Sequence, residues 1–331
     1  MRACQDVKRE NSRSYRTVYL TAICLAFLSV VRECRSRIIS AYVMPHGGIA
    51  LDPGHFNTTN TTAKTEAWEI HRACVDVGKE IASVYPDVIL LSTPHGIADY
   101  SNFVLYLNRR GVGFADTDNC VCPPCCYMVN VSLASEIAAR IRDEFSAQSN
   151  VSGLSSFGPP GGEGVEPFPL RWAEVIPLHF VPFLNESETK TVILSQPSRR
   201  YTEDVAMIPE LLTLGQNLYT FLEELDERVV VIISSDLAHT HDKSGPYGYS
   251  NASQPFDDAC GKWASTLDAD SLLKTAAEYV DRAKSCGYTG LVMLHGLMLS
   301  AGSFSWHPEL YVNHHPSYYG MMVASFTRKI A

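Results

Sequence analysis

Residues 229–241 read VVVIISSDLAHTH: an unbroken run of β-branched residues, suited to a strand buried on both faces, then a small polar stretch ending in two histidines. The same grammar occurs twice upstream. Residues 37–44 (RIISAYVM) cluster β-branched and aromatic side chains and stop at Pro45-His46-Gly47-Gly48, and residues 87–91 (DVILL) stop in Ser92-Thr93-Pro94-His95-Gly96. Three strands thus each deliver a histidine at or just past the carboxyl end. Between them, residues 65–85 place Trp68, Ile70, Cys74, Val77, Ile81 and Val84 at helical spacing. Residues 132–145 and 210–228 also read as helices, and 191–194 as a short strand. Alternating strands and helices predict a single-domain α/β fold, with a central mostly parallel or mixed sheet flanked by helices on both faces. Ligands of such sheets collect in the crevice at the carboxyl ends of the strands.

Composition narrows the field. A chain of 331 residues with 46% hydrophobic residues can bury a large core. A formal charge of -9 offers no basic field for nucleic acid. Residues 1–35 read as an N-terminal extension and 36–331 as one domain. Within the extension, residues 18–31 (VYLTAICLAFLSVV) have signal-peptide length but are shorter than a membrane span, and the RECRSR that follows is no cleavage site of small residues. Six Asn-x-Ser/Thr sequons, at Asn57, Asn60, Asn130, Asn150, Asn185 and Asn251, suit a secreted chain if they carry glycans. Of the ten cysteines, four crowd into CVCPPCC (Cys120, Cys122, Cys125, Cys126). No second Cys or His pair follows at a zinc-site offset, so a Cys-rich or disulfide-bearing surface loop is favoured over a metal knuckle. Residues 150–169, rich in Gly, Pro and Ser, read as a long loop, either a lid or a flexible excursion.

His46 and His95 share a Pro-His-Gly setting that holds imidazole rigidly, which suits metal ligation; the alternative is a pair of hydrogen-bonding loop histidines. His239 and His241 follow a buried strand, where His239 can serve as a general base oriented by Asp236, or the segment can simply cap a helix. The turn at residues 245–249 (GPYGY) can bring an aromatic wall to the same place. Cys286 precedes an apolar helical run, a setting for a ligand or reactive thiol, or for a buried structural cysteine.

Five blocks, MPHGGIALDPG (44–54), LLSTPHG (90–96), VVVIISSDLAHTHDKSGPYGYS (229–250), Phe256-Asp257 and AKSCGYTGLVMLHGLM (283–298), resemble in order the signatures of the class III extradiol ring-cleavage dioxygenase (LigB-like) superfamily, which also contains the Memo proteins. The resemblance implies a nonhaem Fe(II) site of two histidines and a carboxylate. His46 and His95 match the two histidine ligands, and His239 matches the acid–base histidine. Where the dioxygenases carry a Glu, this chain has Cys286, as Memo-type proteins do. Trp172 stands where the family has a second pocket histidine, ahead of a Val-Pro-Leu strand. Thiolate is softer than carboxylate, so copper or zinc become alternatives to iron.

These readings lead to an iron-dependent oxidoreductase of the extradiol type: metal on His46, His95 and Cys286, and proton handling by His239 with Asp236. The expected partners are a small aromatic substrate and O2. The alternative is a Memo-like iron- or copper-binding protein without ring cleavage, and a third is a Cys286/His239 hydrolase, for which no oxyanion-hole pattern is present. Membrane contact is expected only through residues 18–31, and homo-oligomerisation is left open. The expected location is cytoplasmic, with an ER or secretory route as the alternative if residues 18–31 act as a signal or anchor.

Overall fold

Along the central strands, alternate side chains enter two different cores. Ala41, Val43, Leu90, Val192, Val229, Val231 and Ile233 face one, and Tyr42, Met44, Ile89, Leu91, Ile193, Val230 and Ile232 face the other. Both faces are therefore covered. The structure is a computed structural model that describes residues 36–117, 127–155, 167–182 and 184–329. Ile38–Ala331 groups into one compact unit. Its strands are β1 (Ile38–Met44), β2 (Val88–Thr93), β3 (Phe103–Tyr106), β4 (Arg110–Ala115), β5 (Tyr127–Ser132), β6 (Val151–Leu154), β7 (Phe168–Leu170), β8 (Lys190–Ser195), β9 (Val229–Ser234), β10 (Trp306–His314) and β11 (Met321–Arg328). The helices are α1 (Gly48–Leu51), α2 (Thr61–Ser83), α3 (Ser135–Phe145), α4 (Trp172–His179), α5 (Arg200–Glu203), α6 (Ile208–Glu223), α7 (Ser253–Thr266), α8 (Ala277–Ala283) and α9 (Tyr288–Ala301). None of the described helices is long and apolar enough to cross a membrane.

The main sheet has the order β10-β11-β1-β9-β2-β8-β3-β6. Its centre, β1-β9-β2-β8, is parallel; β11 and β10 extend it antiparallel on one side, and β3 joins antiparallel to β8 on the other. The sheet is thus mixed, with a parallel middle. A second sheet of order β5-β4-β7 packs with α2 and α4 around one core, while α3, α6, α7 and α9 build the other. α6 and α9 meet backbone to backbone: a Cβ on Gly215 would lie 2.1 Å from the Met293 carbonyl, and one on Gly296 would lie 2.4 Å from that of Leu212. Only glycine permits that approach.

Local chemistry moves several boundaries. The helix expected at 65–85 starts at Thr61, because Asn60 Oδ1 accepts from the amides of Thr62 and Ala63 and caps it. The helix expected to run to residue 228 ends at Glu223, where the amide of Glu224 turns back to Phe221. The long loop expected at 150–169 contains an edge strand, β6, at its start and β7 at its end; residues 156–166 lie outside the described residues. The stretch Val175-Ile176-Pro177-Leu178, matched to the family's Val-Pro-Leu strand, lies in a helix, α4, with Pro177 inside it. Residues 18–31 and Cys120, Cys122, Cys125 and Cys126 also lie outside the described residues.

Candidate functional site

β1, β9 and β2 are parallel neighbours, so their carboxyl ends finish side by side and the loops that leave them share one corner of the molecule. Asp236 stitches two of those loops together, its Oδ1 accepting from the His46 amide at 3.0 Å while Ser235 donates its own amide to Met44 at 2.9 Å. The turn before α9 closes on the same place. Gly287 donates its amide to the Asp236 carbonyl, and a Cβ on Gly287 would sit 1.8 Å from Ser235 Oγ, so glycine alone lets Cys286 reach the end of β9.

The proton on His46 is assigned by a chain of contacts that begins in α4. Pro177 has no N–H to give the carbonyl one turn back, that of Ala173, which instead accepts from the Ser234 hydroxyl at 2.7 Å. Having spent its proton, Ser234 Oγ accepts from His46 Nδ1 at 2.8 Å. His46 Nε2 is left with its lone pair, 3.3 Å from Cys286 Sγ and 3.3 Å from Asp236 Oδ2. His95 adds a third donor: ligand atoms of His46, His95 and Cys286 all lie within 4.8 Å of one another. Among the described residues no other His, Cys, Asp or Glu group meets in this way.

The protonation states suit a cation. Burial, reinforced by the neighbouring His95, His239 and Arg200, holds His46 well below its ordinary value. Burial and then Arg200 lower His95 to about 3. Both imidazoles are neutral at pH 7, as ligation requires. Burial and the Asp236 carboxylate push the Cys286 thiol up, so a metal must displace its proton to bind there. Two imidazoles and a thiolate fit iron, copper or zinc.

The two imidazoles and Asp236 open into a cleft of about 590 Å³ whose walls include Trp172, Tyr247, Tyr318 and Tyr319. His95 stacks on Trp172 at 5.1 Å between ring centroids, and the Arg171 guanidinium covers the Trp172 ring at 4.7 Å. His239 also lines the cleft, stacked on Tyr319 at 5.8 Å. Its Nδ1–H donates to the Leu237 carbonyl at 2.8 Å, which leaves Nε2 as the acceptor. Burial keeps this ring below its ordinary pKa. Asp236, expected to orient His239, directs its carboxylate at His46, and the Leu237 carbonyl holds His239 instead. His241 turns into the protein against Asp257, with 2.8 Å between Nε2 and Oδ2. A larger cavity of about 1110 Å³ lies at the amino ends of β2 and β8, away from all of these groups.

Several site residues escaped the sequence reading. Arg200, after β8, is the one buried guanidinium among the described residues, and it donates to the Tyr201 hydroxyl, itself 3.4 Å from His95 Nδ1. The signal was available: β8 is a fourth strand of the parallel centre, and its trailing loop reaches the same corner. Glu174, which accepts from Tyr106 and from the Arg171 amide, fixes the start of α4 beneath Trp172. Burial raises its carboxyl to about 7. Tyr318 and Tyr319 precede β11, a strand the sequence reading did not anticipate.

The chain is 24% identical over 261 residues to Protein CA_C1420 of Clostridium acetobutylicum, covering 78% of this chain. The chain spans about half, 51%, of the length of that curated relative. Among solved structures, an uncharacterized protein, JW3007, from Escherichia coli K12 aligns over 87% of this chain and 99% of its own, with 13% identity and a TM-score of 0.48. The family model of the catalytic LigB subunit of aromatic ring-opening dioxygenase matches residues 40–325, which include all the strand-end histidines and Cys286. The chain belongs to this LigB dioxygenase family.

Proposed function

We propose that the protein is an iron-dependent oxidoreductase of the extradiol type, acting on a catechol-like or other small aromatic substrate with O2. The observation that carries this reading is the meeting of His46, His95 and Cys286 within 4.8 Å, beside a cleft that both histidines line together with His239, whose Nε2 is free. His46, His95 and Cys286 would hold the metal. Bound iron would supply the redox chemistry that lets O2 react with an aromatic ring.

The remaining steps belong to the chain. Trp172, Tyr247, Tyr318 and Tyr319 form aromatic walls that suit a flat ring. His239, neutral because it is buried, takes a hydroxyl proton of the substrate on Nε2 and can return it when an oxygen atom later needs one. The Leu237 carbonyl keeps the ring from rotating as it does so. Anaerobic loading with Fe(II), followed by catechols and air, should give oxygen uptake and a yellow ring-opened product. No uptake across a broad panel of catechols would sink the proposal.

One observation favours a second reading, a protein that binds iron or copper without ring cleavage. Trp172 stacks on His95 where the related dioxygenases have a second proton-handling histidine, and the third donor is a thiol rather than a carboxylate. Metal analysis of protein purified without added metal, for the wild type and Cys286→Ala, separates the two. Copper that depends on Cys286, with no oxygen uptake, selects the binder; iron with substrate-triggered uptake selects the enzyme.

A further inference from the structure

Six of the twelve asparagines in the chain begin an Asn-x-Ser/Thr sequon, whereas Ser and Thr fill 50 of the 331 positions, so chance would give about two such sequons. The structure separates the two sets. Five sequon asparagines, Asn57, Asn60, Asn150, Asn185 and Asn251, are exposed, and Asn130 is half-buried. The four other described asparagines, Asn102, Asn108, Asn217 and Asn313, are all buried or half-buried. Every exposed asparagine among the described residues therefore lies in a sequon. None of the six lines the catalytic cleft or the larger cavity.

We propose that the protein is N-glycosylated, at Asn57, Asn60, Asn185 and Asn251. In the transfer, the amide Nδ2 bonds to the anomeric carbon of an oligosaccharide carried on a polyprenyl diphosphate. The anomeric C–O bond breaks, the lipid diphosphate leaves with the electron pair, and one amide proton goes to base, with no change of oxidation state. The fold leaves the required atom available. Asn60 caps α2 through Oδ1, Asn185 accepts from the Asn130 amide through Oδ1, and Asn251 accepts from Arg282 through Oδ1. In each case the nitrogen is unengaged among the described residues.

The other two sequons differ. Asn150 spends its Nδ2 on Glu210 at 2.9 Å and has a left-handed backbone, with φ at 51°. Asn130 lies in β5 with its Oδ1 held by Arg110. A glycan at Asn150 would have to replace the Glu210 contact, and Asn130 is half-buried within a paired strand, where a glycan would meet the neighbouring strand.

Glycosylation places the chain in the ER lumen, in place of the cytoplasmic location expected from the sequence, and the apolar run at 18–31 then has a role as a targeting segment. The described free cysteines, Cys74, Cys260 and Cys286, are all buried, which suits an oxidising compartment.

The test expresses the full chain in cultured eukaryotic secretory cells and treats it with peptide N-glycanase in heavy-oxygen water. Electrophoretic mobility should increase on treatment, and mass spectrometry should find heavy-oxygen aspartate at Asn57, Asn60, Asn185 and Asn251. Thr59→Ala, Thr62→Ala, Asn185→Gln and Asn251→Gln should each remove one mobility step. Thr62→Ala keeps the Asn60 cap, so its effect reads sequon loss rather than unfolding. No shift while a co-expressed secreted glycoprotein shifts, or label at Asn130 alone, overturns the proposal.

Discussion

His46 and His95 sit in the same Pro-His-Gly turn at the ends of parallel strands, yet the fold treats them differently. His46 is 2% exposed and tied through Ser234 to a carbonyl of α4. His95 is only partly covered, packed against Trp172 and 3.4 Å from the hydroxyl of exposed Tyr201. One imidazole is fixed by a buried hydrogen bond and the other by stacking at a wet rim. An identical motif thus yields one rigid donor and one adjustable donor, and what decides between them is the strand next door.

The comparison breaks most visibly if the rigid donor is removed. His46→Ala should lower metal affinity by more than about 100-fold, beyond the range seen for residues behind the ligands, as read by competition with a chelator. Ser234→Ala leaves His46 Nδ1 free to rotate and should lower affinity by about 10–100-fold. The same variant should lose roughly 1–3 kcal/mol of stability, because a buried carbonyl and a ring N–H lose their partner, measurable by denaturant unfolding.

A pH series of metal-free protein probes the adjustable donor. The folded His95 titrates near 3 rather than the usual 6.5, so between those values the unfolded chain binds more protons and stability falls as pH falls. Above pH 6.5 this group should contribute no slope, and His95→Gln should flatten part of the acid limb of the melting curve. A wild-type slope retained in full by that variant would show that His95 is not buried as a neutral ring. The smallest effect on the metal is expected from Tyr201→Phe, which removes only a 3.4 Å contact to His95 and should lower metal affinity by less than Ser234→Ala does; because the same hydroxyl accepts from the buried Arg200, stability should fall by about 1–3 kcal/mol.

Much of this site could be read before any coordinates. The β-branched runs specified β1, β2 and β9, and the Pro-His-Gly stops marked where chemistry would collect, because backbone buried on both faces needs apolar side chains and a turn needs glycine and proline. Pairwise geometry was not legible. Asp236 follows β9 at a spacing that suggested service to His239, but its carboxylate lies under the β1 loop, a consequence of strand order that no local pattern encodes. β10 and β11 went unread because partly exposed residues dilute the alternation along β10, and with them went Tyr318 and Tyr319. α4 went unread for a different reason: Val175-Ile176-Pro177-Leu178 has strand chemistry, and Glu174, capping the helix from within, overrides it.

Pro177 carries a consequence for how such proteins diverge. It lies outside the cleft lining, yet the backbone bond it cannot make leaves the Ala173 carbonyl with Ser234 as its donor, and Ser234 in turn holds His46 Nδ1. A chain with another residue at 177 would offer that carbonyl an internal rival. Its ligand set would look unchanged by motif, while Ser234 would share its acceptor and hold the imidazole less firmly. Selectivity among metals can drift through a position that comparison of active-site residues alone would pass over.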